Sequence, residues 1–333
     1  MTDLEQRTLG RTGRQVSVIG LGTWQLGADW GDVSEASARE VLEASADAGV
    51  TFFDTADVYG DGRSEQILGR FLADHSDADL TVATKMGRRM EQLPENYRPG
   101  HFGAWIDRSR RHLRTEQLDL VQLHCPPSQV IDADATYDAL DALVEEGSIA
   151  AYGVSVETAD QALSAIARPH VASVQIILNA FRLKPLERVL PAAADAGVGI
   201  IARVPLASGL LSGKYDASTT FGPDDHRSYN RDGSSFDVGE TFSGVDYETG
   251  LGAASEFAAL VREHLDDVTT AQAALAWVAQ QPGVTTVIPG ARNAEQARAN
   301  AAAGEVDPLP DELFEGVRRI YDERLREAVH PRW

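Results

Sequence analysis

A short apolar run followed by an amphipathic helix recurs eight times along this 333-residue chain, and this alternation constrains the fold more than any other feature. The apolar runs rich in Val, Ile and Leu span residues 16–22, 50–54, 80–85, 118–124, 151–156, 171–178, 198–204 and 284–290. Such runs are typical of strands that are buried on both faces of a parallel sheet. The alternation predicts an α/β protein with a closed (β/α)8 TIM barrel, and an open doubly wound sheet is the alternative that the pattern leaves.

Two segments interrupt the alternation. Residues 6–18 have Gly13 at their centre, which predicts an N-terminal β-hairpin before the first barrel strand. Residues 212–249 are polar, rich in Gly and Asp and without periodicity, which predicts a long loop after strand seven. No linker-like stretch divides the chain, so we expect residues 1–333 to form one barrel domain. The first helix, within residues 34–49, has a predicted Ser cap at Ser37 with an acid three residues later.

Composition excludes several classes of partner. The net charge of −21 argues against binding to nucleic acid and to anionic membranes. Cys125 is the only cysteine, so an internal disulfide is impossible and a reducing compartment is indicated. The N-terminus lacks the apolar centre of a signal peptide, and no apolar run approaches the roughly 20 residues that cross a bilayer. We therefore expect a soluble cytoplasmic protein.

Four polar side chains stand at or just beyond the ends of successive predicted strands. Asp54 ends the second strand, and Tyr59 follows it in a turn-rich loop. Lys85 ends the third strand and is one of only three lysines among 30 basic residues, while His124 ends the fourth. Because barrel active sites lie at the carboxyl ends of the strands, we expect these side chains to converge. Acid, phenol, ammonium and imidazole together form a proton-transfer set.

A basic residue after the last strand indicates an anion site. Arg292 lies where a helix N-terminus is expected, and backbone amides with a guanidinium suit a phosphate group. Residues 20–27 do not fit the dinucleotide fingerprint, because Gln25 occupies a position that requires Gly or Ala. Residues 57–62 do not make a calcium loop, because Leu68 stands where the bidentate acid is needed. No His/Cys cluster has zinc spacing, so we expect no metal.

With these features in place, the chain resembles the aldo-keto reductases nearly from end to end. The motifs that carry the resemblance are GLGTW, FFDTADVYGDGRSE, ATKMG, VQLHCP, YGVSVE, VQIILN, VPLASGLLSGKY and VIPGARNAEQARAN. The resemblance implies a (β/α)8 barrel that binds NADPH across the carboxyl ends of its strands. It also implies reversible reduction of an aldehyde or ketone without metal, a small-molecule carbonyl substrate as partner, and a monomer or small homo-oligomer.

The resemblance also assigns residues by position. The implied catalytic tetrad is Asp54, Tyr59, Lys85 and His124. The implied cofactor contacts are Gly22, Thr23, Trp24, Asp54, Ser155, Gln175, Arg203, Pro205, Leu206, Ser208, Gly209, Leu211, Lys214, Gly290, Arg292, Gln296 and Asn300. In this scheme Lys85 is held positive by Asp54 and lowers the pKa of Tyr59, which protonates the developing alkoxide. His124 orients the carbonyl oxygen.

Two positions depart from the family pattern. Val156 stands where an Asn is common, which removes one hydrogen bond to the nicotinamide carboxamide. Arg203 replaces an aromatic residue that usually stacks on the nicotinamide, and its charge is expected to weaken retention of NADP⁺. The aromatic residues Trp24, Trp30 and Trp105 are expected to line an apolar substrate pocket.

Two other functions stay open. Some relatives of this fold act as regulatory subunits of ion channels, which bind cofactor and turn over slowly. A barrel lyase or isomerase acting on phosphorylated sugars is the second alternative, with Lys85 as a Schiff-base nucleophile.

Overall fold

Eight parallel strands follow one another around a barrel in a computed structural model that describes residues 4–27, 33–222, 225–230 and 245–333. The barrel strands are β3 (Leu21–Gly22), β4 (Phe52–Asp54), β5 (Thr81–Met86), β6 (Leu120–His124), β7 (Tyr152–Ser155), β8 (Ser173–Ile177), β9 (Gly199–Arg203) and β10 (Thr286–Val287). Parallel bridges from Ile19 to Val287 and from Gly22 to Gly290 join the first strand to the last. The predicted (β/α)8 barrel is confirmed, and the open doubly wound sheet is wrong.

The predicted N-terminal hairpin is confirmed as well. Strands β1 (Gln6–Thr8) and β2 (Gln15–Ser17) pair antiparallel, and Gly13 takes a left-handed φ of 71° in the turn between them. Leu9 and Val16 are fully buried and belong to an apolar cluster with residues such as Phe52, at the amino-terminal end of its strand. The hairpin therefore closes the amino-terminal end of the barrel.

Helices surround the sheet. They are α1 (Glu35–Asp47), α2 (Arg63–Asp74), α3 (Pro99–Leu113), α4 (Ser128–Asp132), α5 (Asp134–Glu145), α6 (Ala159–Ile166), α7 (Pro185–Ala196), α8 (His226–Tyr229), α9 (Tyr247–His264), α10 (Thr270–Ala279), α11 (Ala294–Ala301), α12 (Asp311–Ile320) and α13 (Arg326–Val329). The expected cap at Ser37 is wrong, because α1 begins three residues earlier, where the side chain of Ser34 accepts the Ser37 amide at 3.1 Å.

A long connection follows β9, in agreement with the predicted loop. Its described part contains a 3-10 turn at Ala207–Ser212 and the short helix α8 before α9 begins after its Asp246 cap. Residues 223–224 and 231–244 of the predicted loop lie outside the described residues. In the part of the chain that the structure describes, no helix combines the length and the apolar character needed to cross a membrane.

The two-residue period of the strands decides which side chains reach the barrel interior. On β4, Phe52 and Asp54 share the inner face, whereas Phe53 points outward and packs against Phe71 of α2 with ring centroids 5.6 Å apart. The same period on β6 places Leu120 and His124 on the inner face. The lower layer of the interior is apolar and the upper layer is polar, so the chemistry-bearing side chains lie at the carboxyl end of the barrel.

Candidate active site

A buried ion pair joins the ends of neighbouring strands β4 and β5. The side chains of Lys85 and Asp54 are 1% and 3% exposed, and the ammonium donates to Oδ1 of Asp54 and, at 3.0 Å, to the carbonyl of Thr55. Burial lowers the pKa of Lys85, but the charges and hydrogen bonds of Asp54 and Tyr59 outweigh it, and the net pKa lies above its ordinary value. Lys85 is therefore held as a stable ammonium.

Two buried amides support the second oxygen of the same carboxylate. Gln122 and Gln175 donate to Oδ2 of Asp54 at 3.1 and 2.8 Å, and the amide nitrogen of Gln175 also lies 3.2 Å from Oε1 of Gln122. Gln122 is absent from the sequence prediction, although its place two residues before His124 puts it on the inner face of β6. Gln175 was predicted as a cofactor contact, and the structure places its nitrogen against Asp54.

Tyr59 reaches the ion pair from the loop that follows β4. Its hydroxyl lies 3.5 Å from Nζ of Lys85, and Nζ lies 5.2 Å from the centre of its ring. The loop is tied to β5 through the Asp57 amide, which donates to the Lys85 carbonyl at 3.1 Å. Gly60, which follows Tyr59, has a φ of 57°, and a Cβ there would lie 2.2 Å from the carbonyl oxygen of Gly27. The turn therefore requires glycine at this position.

The pKa of Tyr59 moves in the direction opposite to the expected one. Burial of the phenol is the largest cause and raises the pKa, Lys85 lowers it, Asp54 raises it, and Arg203 and Arg88 lower it. The net pKa lies above the ordinary value of 10.0. The effect of Lys85 has the predicted sign, but the predicted net lowering is wrong, because desolvation of the phenolate outweighs the nearby positive charges.

The aromatic surroundings of Tyr59 agree only in part with the prediction. The His124 ring meets the Tyr59 ring edge-on at a centroid distance of 6.0 Å, and the Trp24 ring stacks against it at 6.2 Å. Trp105 lies in α3 and packs against the rings of Phe102 and Tyr97, so its predicted place in the substrate pocket stays a prediction. Trp30 lies outside the described residues.

The remaining predicted cofactor contacts lie on the carboxyl side of the barrel. Thr23, after β3, is fully buried, and its hydroxyl donates to the Asp54 carbonyl at 2.9 Å. Ser155 ends β7 beside His124. Arg203 ends β9, and its guanidinium lies 3.4 Å from the Val156 carbonyl. Val204, which follows Arg203, has a left-handed φ of 54°.

The segment after β9 makes a strained turn. Positive φ angles occur at Ala207, Ser208 and Gly209, with values of 47°, 56° and 99°. Leu211 is buried and donates its amide to the carbonyl of Leu206 at 3.2 Å, which closes the turn. Successive amides in such a conformation form a concave anion site. Pro205 lies at the start of this segment and Lys214 is exposed just beyond it.

The predicted phosphate site lies around the start of α11. The Asn300 side chain donates to the Gly290 carbonyl at 3.1 Å, and the Gln296 side chain accepts the Arg292 amide at 2.9 Å. Gly290 bridges to Gly22 across the closure of the barrel. Within the described residues, no three His, Cys, Asp or Glu side chains gather as a metal site would require.

Comparisons with known proteins identify a matching family and several relatives of this chain. The family model described as "Aldo/keto reductase family" matches residues 18–322. The Bacillus subtilis protein "Aldo-keto reductase YhdN" is 29% identical over 89% of this chain and 87% of its own length. The rice protein "Probable voltage-gated potassium channel subunit beta" is 31% identical over 92% of this chain and 93% of its own length.

Solved structures share the fold. The glycerol dehydrogenase AKR11B4 from Gluconobacter oxydans is 30% identical, with a TM-score of 0.78 over 97% of this chain and 95% of its own. An aldo-keto reductase from Klebsiella pneumoniae, solved in complex with NADPH, has a TM-score of 0.70 at 24% identity over 96% of each chain.

Proposed function

Because this chain belongs to the aldo/keto reductase family, we propose that it reduces an aldehyde or ketone to an alcohol, reversibly, with NADPH as hydride donor and Tyr59 as general acid. The observation that carries the proposal is the row formed by Asp54, Lys85 and the Tyr59 hydroxyl at the mouth of the barrel. A buried ammonium beside a phenol, in a cleft built by strand ends, is an arrangement typical of proton transfer.

The residues fit a dinucleotide phosphate. The turn at residues 204–209 contains left-handed backbone at Val204, Ala207, Ser208 and Gly209. At Gly290, the flexible end of the Gln25 side chain lies against the backbone, with Nε2 2.0 Å from the position of a Cβ. We assign the pyrophosphate to this turn, the nicotinamide to the Arg203 end of β9, and the 2′-phosphate to Arg292 with the start of α11. When bound, NADPH supplies the hydride.

The chain's own residues supply the proton. Tyr59, whose pKa lies above 10.0, is protonated at neutral pH and donates its proton to the carbonyl oxygen as negative charge develops there. The Lys85 ammonium stabilises the phenolate that remains, and Asp54 keeps the ammonium charged and in place. His124, at right angles to the Tyr59 ring, directs the carbonyl oxygen toward the phenol.

A tyrosine replacement tests this role directly. Tyr59→Phe removes the proton and keeps the ring, so we expect turnover to fall about 10²-fold or more while NADPH affinity is retained. Tyr152→Phe is the matched control, because its hydroxyl bonds to Asp141 at 2.7 Å and lies away from the ion pair. Turnover is followed by loss of reduced-nicotinamide absorbance with a panel of carbonyl compounds. Undiminished turnover in Tyr59→Phe would refute the role of Tyr59.

A cofactor-binding regulatory subunit with little turnover is the second candidate, because a rice relative carries the name of a potassium channel subunit. The complete set of Asp54, Tyr59, Lys85 and His124 favours the enzyme. A tight NADPH complex with no measurable steady-state rate on any carbonyl compound would favour the regulatory subunit. The Schiff-base lyase is disfavoured by the raised pKa of Lys85, since a nucleophilic amine must be neutral.

A further inference from the structure

A second carboxyl group lies buried in the loop between Asp54 and Tyr59 and has no part in the tetrad. Asp57 has no exposed surface, and within residues 4–27, 33–222, 225–230 and 245–333 neither of its carboxyl oxygens has a hydrogen-bond partner. An ionised carboxylate in such surroundings is strongly unfavourable, and buried carboxylates are normally paired or hydrogen-bonded. The neutral acid is the form that this site accommodates.

Charged groups from three neighbouring elements act on Asp57. Glu65 belongs to α2 and is fully buried. Its carboxylate accepts a hydrogen bond from the Thr84 hydroxyl at 2.7 Å and lies 3.0 Å from Nδ1 of His112 on α3. Arg89 lies in the segment after β5, and Arg108 lies in α3. Asp61 lies in the 3-10 turn formed by Tyr59–Gly62. Glu65 and Asp61 oppose ionisation of Asp57, and the two arginines favour it.

The two arginines are engaged elsewhere. Arg89 and Arg108 donate to the backbone carbonyl of Asp57 at 3.3 and 3.1 Å, and both also pair with the side chain of Asp61. That pairing braces the turn at Asp61, a non-glycine residue whose left-handed φ of 50° is unfavourable. Gly60 and Gly62 on either side have φ angles of 57° and 92°, which glycine adopts readily. The turn directly follows Tyr59.

We propose that Asp57 is a positioning residue for Tyr59: in its neutral form it leaves Arg89 and Arg108 on the turn behind Tyr59, and in its ionised form it draws them away. The turn then relaxes and the phenol moves from the Lys85 ammonium. Asp57 lies two residues before Tyr59, and its amide donates to the Lys85 carbonyl, so a shift of Asp57 is transmitted to both. The loss of turnover that follows rests on the proposed function.

The pH range of the effect follows from the surroundings. Burial is the largest cause and Glu65 the second, and together they raise the pKa of Asp57 to about 7 against the lowering effect of Arg89 and Arg108. We expect kcat for reduction of a saturating aldehyde to fall about tenfold per pH unit above this value. The titration of Tyr59 lies above 10.0 and does not produce this decline.

Asp57→Asn keeps the shape and removes the titration. We expect its kcat to stay level from pH 6 to 9, near the acidic plateau of the wild-type enzyme. A decline that persists unchanged in Asp57→Asn would belong to another group and would overturn the proposal. If Asp57→Asn does not fold, Glu65→Gln replaces it. Because this variant lacks the carboxylate beside Asp57, its kcat must decline at a lower pH than that of the wild-type protein. A kcat that declines at the same pH as in the wild-type protein overturns the proposal.

Two readouts do not depend on turnover. The infrared band of a protonated carboxylic acid must disappear from the wild-type protein between pH 6 and 8 and be missing from Asp57→Asn. Over the same range, amide hydrogen exchange in residues 55–62 must accelerate more in the wild-type protein than in the variant. A protein that reduces no carbonyl compound but shows both changes would refute the proposed function and keep the switch. Absence of both changes would refute the switch alone.

Discussion

The Asp54–Lys85 ion pair gives the sharpest test of how this site is held together. Lys85→Met preserves most of the side-chain volume but leaves the Asp54 carboxylate, 3% exposed, without its cation. Two neutral donors, Gln122 and Gln175, still hold the carboxylate at 3.1 and 2.8 Å. Removing one partner of a buried pair costs about 3–5 kcal/mol because an uncompensated charge stays inside. The two amide hydrogen bonds place our expectation near the lower limit, at about 3 kcal/mol.

A second substitution separates the charge effect from packing. In the double variant Asp54→Asn with Lys85→Met no charge is left in the pair, so we expect it to be more stable than Lys85→Met alone, with a coupling free energy of about 2 kcal/mol. Turnover should not recover with stability, because no ammonium then lies beside Tyr59. Lys214→Met is the control for the free energy of unfolding only, since Lys214 is an exposed lysine but also an implied cofactor contact.

The free energies are measured by urea unfolding at pH 7, followed by tryptophan fluorescence and circular dichroism. Additive effects of the two substitutions, or a Lys85→Met protein within about 0.5 kcal/mol of wild type, would show that the pair carries no net charge coupling. Recovery of turnover in the double variant would show that Lys85 does not act on the phenol.

Three further outcomes follow from the structure. Arg292→Ala should weaken NADPH about tenfold, a loss typical of one hydrogen bond to a charged group, and NADH by much less; equal losses in fluorescence titrations would contradict a 2′-phosphate site. Arg203→Gln should tighten NADP⁺ several-fold with little effect on NADPH, because it removes a cation from the assigned nicotinamide site; titration with each form checks it. Asp57→Asn should change the pH dependence of stability. Folding raises the pKa of Asp57 from 3.8 to about 7, so the unfolded chain ionises at a lower pH than the folded protein. The wild-type protein therefore loses stability as pH rises between these two values and loses no more above them. In urea unfolding, we expect it to lose about 2–3 kcal/mol relative to the variant between pH 5 and 8.

The alternation of strands and helices predicted the barrel and the convergence of the side chains at its strand ends, because parallel strands that are buried on both faces have continuous apolar sequences. The two-residue period of a strand held a signal for Gln122, which shares the inner face of β6 with His124 but does not stand at the end of the strand. The start of α1 was predicted one turn too late, since Ser37 and Ser34 are equally good caps and only the fold chooses Ser34.

Two properties of the site depend on contacts far apart in the chain. The left-handed backbone of Val204, Ala207 and Ser208 has no local signal, because Gly209 is the only glycine in that segment. Tertiary contacts enforce it: the Asn179 side chain, from after β8, donates to the Val204 carbonyl at 2.9 Å. The pKa of Tyr59 is likewise set by its degree of burial, which the order of residues does not reveal.

The direction of that pKa shift bears on the direction of the reaction. A phenol with a pKa above 10.0 is almost wholly protonated at neutral pH, so it is ready to protonate an alkoxide but is a poor base for oxidising an alcohol. The Arg203 guanidinium, at the assigned nicotinamide site, disfavours the cationic oxidised ring and promotes its release. Arg203 also lowers the pKa of Tyr59, but it does not reverse the net rise. Tyr59 lies in the loop after β4 and Arg203 ends β9, and both are expected to favour reduction. We therefore expect carbonyl reduction to be the working direction of the proposed site.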